Sequence, residues 1–127
     1  MRALSVIRTL RLLKNKKLKM YLSLPITGRD LVSVKEHAGV VKKLWEERGY
    51  EVVTPFELVE ENNGSMGEAE YYAYCMGRCV EALLMCDGIV LCHGWFESKG
   101  CRAECDVAQV YGKKIIVDKT EYADNQV

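Results

Sequence analysis

The chain has 127 residues, 49% of them hydrophobic, with 18 basic side chains balancing 18 acidic ones. That length makes one domain with room for a buried core, and that hydrophobic content excludes a disordered body. The charge is uneven: residues 1–19 hold seven basic residues and no acid, leaving eleven basic against eighteen acidic over residues 20–127, a balance of −7. This argues against a nucleic-acid duplex as the main partner, since such binding rests on Lys and Arg neutralising phosphates.

Residues 1–17 form a basic extension in which Val6, Ile7, Leu10, Leu12 and Leu13 interleave with Arg8, Arg11 and Lys14, the pattern of a short amphipathic helix. Its apolar runs are too short for a signal peptide, and no stretch of the chain reaches the ~18 apolar residues of a membrane span. Three readings stay open for it: an unordered tail upstream of a start at Met20, a helix docked on the body or on a partner subunit, and a basic anchor for membrane or nucleic acid.

Residues 18–127 read as a single domain of alternating strands and helices. Leu18–Leu24 is a first strand, closed by Pro25 and Gly28. Asp30 caps a helix running to about Arg48, with Val34, Ala38, Val41, Leu44 and Trp45 as its apolar stripe and Gly49 as its stop. Tyr50–Val53 is a second strand ending at Pro55, and Phe56–Gly67, with Asn62-Asn63-Gly64, is a polar mobile connection. Glu68–Cys86 is a helix with Tyr72, Cys75, Met76, Cys79, Leu83 and Cys86 on one side. Asp87–Cys92 is a third strand, which Asp87 opens in a structural role. Ser98 caps a helix to Tyr111, Gly112 ends it, and Lys114–Val117 is a fourth strand; in the tail beyond, Tyr122 is a candidate to dock. This order implies an α/β fold, a three-layer doubly wound parallel sheet of flavodoxin-like type with four to five strands and right-handed crossovers.

The six cysteines include Cys75/Cys79 and Cys101/Cys105 at i,i+4 spacing but no C-x-x-C pair. With only His37 and His93 beside them they do not make a zinc set. They read as reduced, mostly buried thiols of a cytoplasmic protein. Neither G-x-G-x-x-G nor a Walker lysine motif is present, so no ordinary dinucleotide or nucleoside triphosphate site is indicated.

The densest signal is Asp87–Glu104: a buried strand, a polar loop, and a helix whose first turn carries Ser98, Gly100 and Glu104. Ligands of α/β proteins sit at such points, beyond the carboxyl end of a strand and against a helix amino terminus. The loop Ser23–Arg29 after strand one should meet the loop His93–Ser98 there. By spacing alone Glu104 is either the site carboxylate or a solvated helix residue paired with Arg102 or Lys99. Ser98 either helps bind an anion with the Lys99 and Gly100 amides or only caps its helix, worth ~1 kcal/mol.

Tyr21-Leu22-Ser23-Leu24-Pro25-Ile26-Thr27-Gly28, with Cys86-Asp87-Gly88-Ile89-Val90, Gly94-Trp95, Ser98-x-Gly100 and Glu104, resembles the nucleoside 2-deoxyribosyltransferase superfamily, in particular a small bacterial and phage branch. It is also similar in layout to the 2′-deoxynucleoside 5′-phosphate N-hydrolases. The resemblance covers about residues 19–118. It implies that Glu104 attacks an anomeric carbon, with Tyr21 orienting it, and that Ser23, Pro25, Ile26, Gly28, Gly94, Trp95, Ser98 and Gly100 line the substrate site. Ser at position 98 favours a nucleoside monophosphate over a free nucleoside. It further implies no metal or organic cofactor and a homo-oligomer whose subunits complete each other's pockets. Trp95 either stacks on a base or packs on the following helix. Arg78 and His93 are further candidates, the first for a phosphate or for Glu104, the second as a general acid; the alternatives are an ion pair of Arg78 with Glu70, Glu81 or Asp87 and a plain surface histidine. One departure stands out: Cys79 occupies the place where the superfamily carries an Asp that helps protonate the leaving base. The preferred reading is an N-glycosidic-bond enzyme acting on a nucleotide or nucleoside, with hydrolysis of a deoxynucleoside monophosphate ahead of base exchange; the alternatives are a catalytically quiet nucleotide-binding or sensing module and an interaction protein using the basic arm.

Overall fold

In a computed structural model, which describes residues 16–123, four parallel strands form one sheet in the order β2-β1-β3-β4. The expectations for residues 1–15 lie outside the described residues. The strands are β1 (Lys19–Ser23), β2 (Glu51–Val53), β3 (Gly88–Leu91) and β4 (Lys114–Val117), and the helices are α1 (Leu31–Glu47), α2 (Glu68–Met85) and α3 (Lys99–Val110).

Side chains alternate across the sheet, and this alternation assigns the layers. Met20 and Leu22 face one side with Val52 and Val90 and meet Val34, Ala38 and Val41 of α1. Tyr21 points to the other side with Ile89 and Leu91 and meets Cys79 and Leu83 of α2 and Cys105 and Ala108 of α3. Each fully buried aliphatic side chain contributes ~1.5–3 kcal/mol, so these two clusters fix the three layers. The central pair is set by register: Tyr21 opposite Ile89 and Ser23 opposite Leu91.

Local chemistry explains the ends. The Asp30 carboxylate accepts from the Ser33 amide at 3.0 Å and caps α1, and Gly49 turns the chain with φ +99°. Asp87 accepts from the Lys19 amide at 2.7 Å, tying the base of β3 to the base of β1. The expected polar connection after β2 is more structured than its composition suggests. Pro55–Glu57 forms a 3₁₀ turn, the Glu57 carboxylate accepts from the Thr54 amide at 2.6 Å, and Phe56, Leu58 and Val59 are half-buried.

Beyond β4 the chain folds back over α1. Trp45 donates from Nε1 to Asp118 at 2.9 Å, and the Tyr122 ring stacks on His37 with centroids 4.0 Å apart. All six thiols are free, and all but the half-buried Cys75 are buried. Among the described residues no helix is long and apolar enough to cross a membrane, and no group of three or more His, Cys, Asp or Glu is placed to hold a metal.

Candidate active site

Two consecutive same-face positions of β1 hold one carboxylate. Tyr21 donates its hydroxyl to Glu104 Oε2 at 2.7 Å, and Ser23 donates to Oε1 at 2.7 Å. Glu104 is only 5% exposed. It is therefore not a solvated helix residue paired with Arg102 or Lys99. As the sixth residue of α3 it sits in the second turn rather than the first, so the helix dipole, which fades within one turn, does little for it. Burial instead dominates its chemistry and raises its pKa above the ordinary carboxylate value, while the two hydroxyl donors work against that rise.

The carboxylate faces a cavity of about 350 Å³ between the carboxyl edge of the sheet, α1, the 3₁₀ turn and α2. That volume suits a small-molecule ligand. Tyr21, Ile26, Ser98, Gly100 and Glu104, all picked out in the sequence, line it. Ser98 caps α3 by accepting from the Cys101 amide at 3.2 Å, and its carbonyl accepts from the Arg102 amide at 3.0 Å. The Lys99 and Gly100 amides have no partner among the described residues, as the first turn of a helix leaves them. At Gly100 a side chain would stand 3.4 Å from Met76 Sδ and 3.5 Å from the Tyr72 hydroxyl, so α2 and α3 approach closely at this wall. A shallower depression continues outward past Pro25, Arg29, Glu97 and Lys99.

The remaining candidates fall around this centre. Gly28 and Gly94 are turn glycines with φ +77° and +82°. A side chain on Gly94 would meet the Arg29 guanidinium at 3.0 Å, so its bareness lets Arg29 cross the loop. Trp95 packs on the sheet cluster and lines a separate depression on the outer side of α3 with Lys99 and Arg102. Arg78 points to solvent, paired with Glu81 at 2.9 Å and donating to the Leu58 carbonyl. His93 is exposed on the loop.

Sequence reasoning missed the outer wall: Lys35, Phe56, Val59, Glu61 and Tyr71 also line the cavity. Lys35 reaches Glu61 at 3.4 Å and lies 5.6 Å from the Phe56 ring centre. Cys79 sits beside Tyr21 at the inner end, and burial pushes its thiol pKa up to about 11. Tyr21 is raised well above its ordinary value by burial and by the Glu104 charge.

The four-stranded parallel sheet between two layers of helices is a three-layer α/β fold, and solved structures share it. A 2-deoxyribosyltransferase from the psychrotolerant bacterium Bacillus psychrosaccharolyticus superposes with TM-score 0.59 at 17% identity, over 78% of this chain and 70% of that one. A conserved protein of Enterococcus faecalis V583 superposes with TM-score 0.61 at 20% identity, over 87% and 70%. Residues 18–117 match the family described as a domain of unknown function, DUF4406, and the chain belongs to that family. No curated protein matches it in sequence.

Proposed function

We propose that this protein cleaves the N-glycosidic bond of a nucleoside 5′-monophosphate, with hydrolysis ahead of base exchange and Glu104 as the nucleophile. The observation that carries this reading is the buried Glu104 carboxylate, aimed by the Tyr21 and Ser23 hydroxyls at a cavity of nucleotide size. An ionised, desolvated carboxylate attacks C1′ through an oxocarbenium-like transition state while the C1′–N bond breaks and the base leaves with its electron pair; the glycosyl-enzyme so formed is then attacked by water, which releases the sugar and returns the carboxylate, as in a retaining glycosidase. The two donors hold one carboxylate orientation, so alignment is set before substrate arrives. Ser98 with the free Lys99 and Gly100 amides supplies donors for a 5′-phosphate at the mouth, with Arg29 and Lys99 on the adjoining rim. A homo-oligomer in the cytoplasm, needing no metal or organic cofactor, is part of the proposal.

The second reading, a catalytically quiet nucleotide-binding module, is favoured by Cys79. A thiol with a pKa of about 11 is a poor proton donor for a leaving base, and general acid catalysis is typically worth ~10²–10⁴-fold. Incubation with a panel of nucleosides and their 5′-monophosphates, bearing neutral and cationic bases, separates the two. Free base released from any member and lost in Glu104→Ala supports the enzyme. Saturable binding with no base released from any member supports the quiet module and ends the enzymatic reading.

A further inference from the structure

Among the described residues, the inner end of the cavity holds one carboxylate, Glu104, and no second carboxylic acid. A neutral base leaves a sugar readily only when a proton reaches its ring as the C–N bond breaks, from a donor that titrates near the working pH. Tyr21 commits its proton to Glu104, and Tyr71 commits its own to the Glu60 carbonyl at 2.7 Å. Lys35 and Glu61 pair with each other at the outer wall. Cys79, beside Tyr21, is too weak an acid. Glu104 cannot serve as nucleophile and acid in the same step. Thr27, Tyr72 and Ser98 add hydroxyls but no carboxyl, and the remaining surface is aromatic, aliphatic and sulfur-bearing, with Phe56, Val59, Cys75 and Met76 prominent. Such a lining favours a soft, weakly hydrated cation through ring quadrupoles and polarisable sulfur, and the Glu104 charge adds attraction.

We propose that the substrate is a nucleoside 5′-monophosphate whose base is already cationic at its glycosidic linkage, of the N-alkylpyridinium or N7-alkylpurine class. This rests on the glycosidic reading of Glu104. A Glu104 oxygen lone pair forms the bond to C1′ while the C1′–N bond breaks, its electron pair returning to the ring nitrogen. The positive charge on the base is cancelled and the base departs neutral, with no proton required. Water then attacks C1′, the bond to Glu104 breaks with its pair returning to the carboxylate, and the proton lost by water passes to solvent.

The decisive comparison is N7-methyl-dGMP against dGMP at pH 6, with each uncatalysed rate subtracted, and nicotinamide mononucleotide as a second cationic probe. The expected result is a kcat/KM at least ~100-fold higher for N7-methyl-dGMP, abolished by Glu104→Gln. In Cys79→Asp, checked for folding by its thermal melt, an added carboxylic acid should narrow that ratio by ~10-fold or more, within the range of general acid catalysis. Equal cleavage of the methylated and unmethylated nucleotides overturns the substrate assignment and leaves the glycosidic reading standing. An unchanged ratio in folded Cys79→Asp also overturns it. Cleavage of neither class, cationic probes included, overturns both.

Discussion

Glu104 sets the proposed function against stability. Its pKa is raised by burial, so the folded protein binds that proton more tightly than the unfolded chain does. The stabilising contribution of the protonated form is fully present below the unfolded carboxylate pKa and is lost as pH climbs through the folded value. Above that folded value the native state holds a desolvated charge. Glu104→Gln removes it while keeping an acceptor for one hydroxyl and offering a donor to the other. The variant should lose base-releasing activity yet melt higher than wild type at pH 8, by ~4 °C per kcal/mol for a domain of this size, with the gain shrinking toward pH 4. Calorimetry at the two pH values checks it; a variant that melts lower at pH 8 would mean that the hydroxyls contribute more than burial costs. The same residue shows what sequence could convey. The Ser98-x-Gly100 spacing and the resemblance pointed to Glu104, but nothing local in the chain showed that its partners lie 83 and 81 residues away on β1.

At the level of elements, β3 is the hinge of the design. It lies between β1 and β4 and begins at Gly88, where a methyl group would meet the Lys114 carbonyl at 2.5 Å and Met20 Cε at 2.6 Å. Backbone on one side cannot yield, so Gly88→Ala should cost ~1–3 kcal/mol of stability by overpacking, read as a lower urea midpoint with an unchanged slope; a neutral result would show that β4 can shift sideways. The elements themselves were legible because apolar runs, Asp30, Ser98 and the stop glycines mark their ends within a residue or two. The cavity wall was not. The stripe Tyr72, Cys75, Met76, Cys79, Leu83 on α2 reads as core, and its carboxyl half is core. Its amino half faces the cavity instead, leaving Tyr72 47% exposed. Periodicity reveals which residues share a face but not what that face meets. Phe56 and Val59 were hidden for a similar reason, within a segment whose polar content masked its half-buried turn.

For the whole molecule, the segment after β4 straps the sheet to α1. His37 beneath Tyr122 is buried with Nε2 unpartnered, and burial, with lesser contributions from His93 and Arg29, lowers its pKa against the pull of Asp118. The folded state therefore prefers the neutral ring. The stability this confers is present above the ordinary histidine pKa near 6.5 and drains away as pH falls through the lowered folded value. Melting temperature should accordingly drop between pH 7.5 and pH 5.5, and the drop should shrink in His37→Gln. Measuring both proteins in a Glu104→Gln background removes the opposing contribution of the carboxylate. An equal drop in both would place the acid sensitivity elsewhere.

Because the two hydroxyls that grip Glu104 belong to an interior ribbon bonded to neighbours along both margins, the carboxylate's mooring has no loosely held half. Sliding that ribbon by a single peptide would swing both grips to the opposite layer. Partial melting cannot leave the carboxylate held but misaligned, so heat should extinguish the proposed base release and tertiary order together, in one cooperative event.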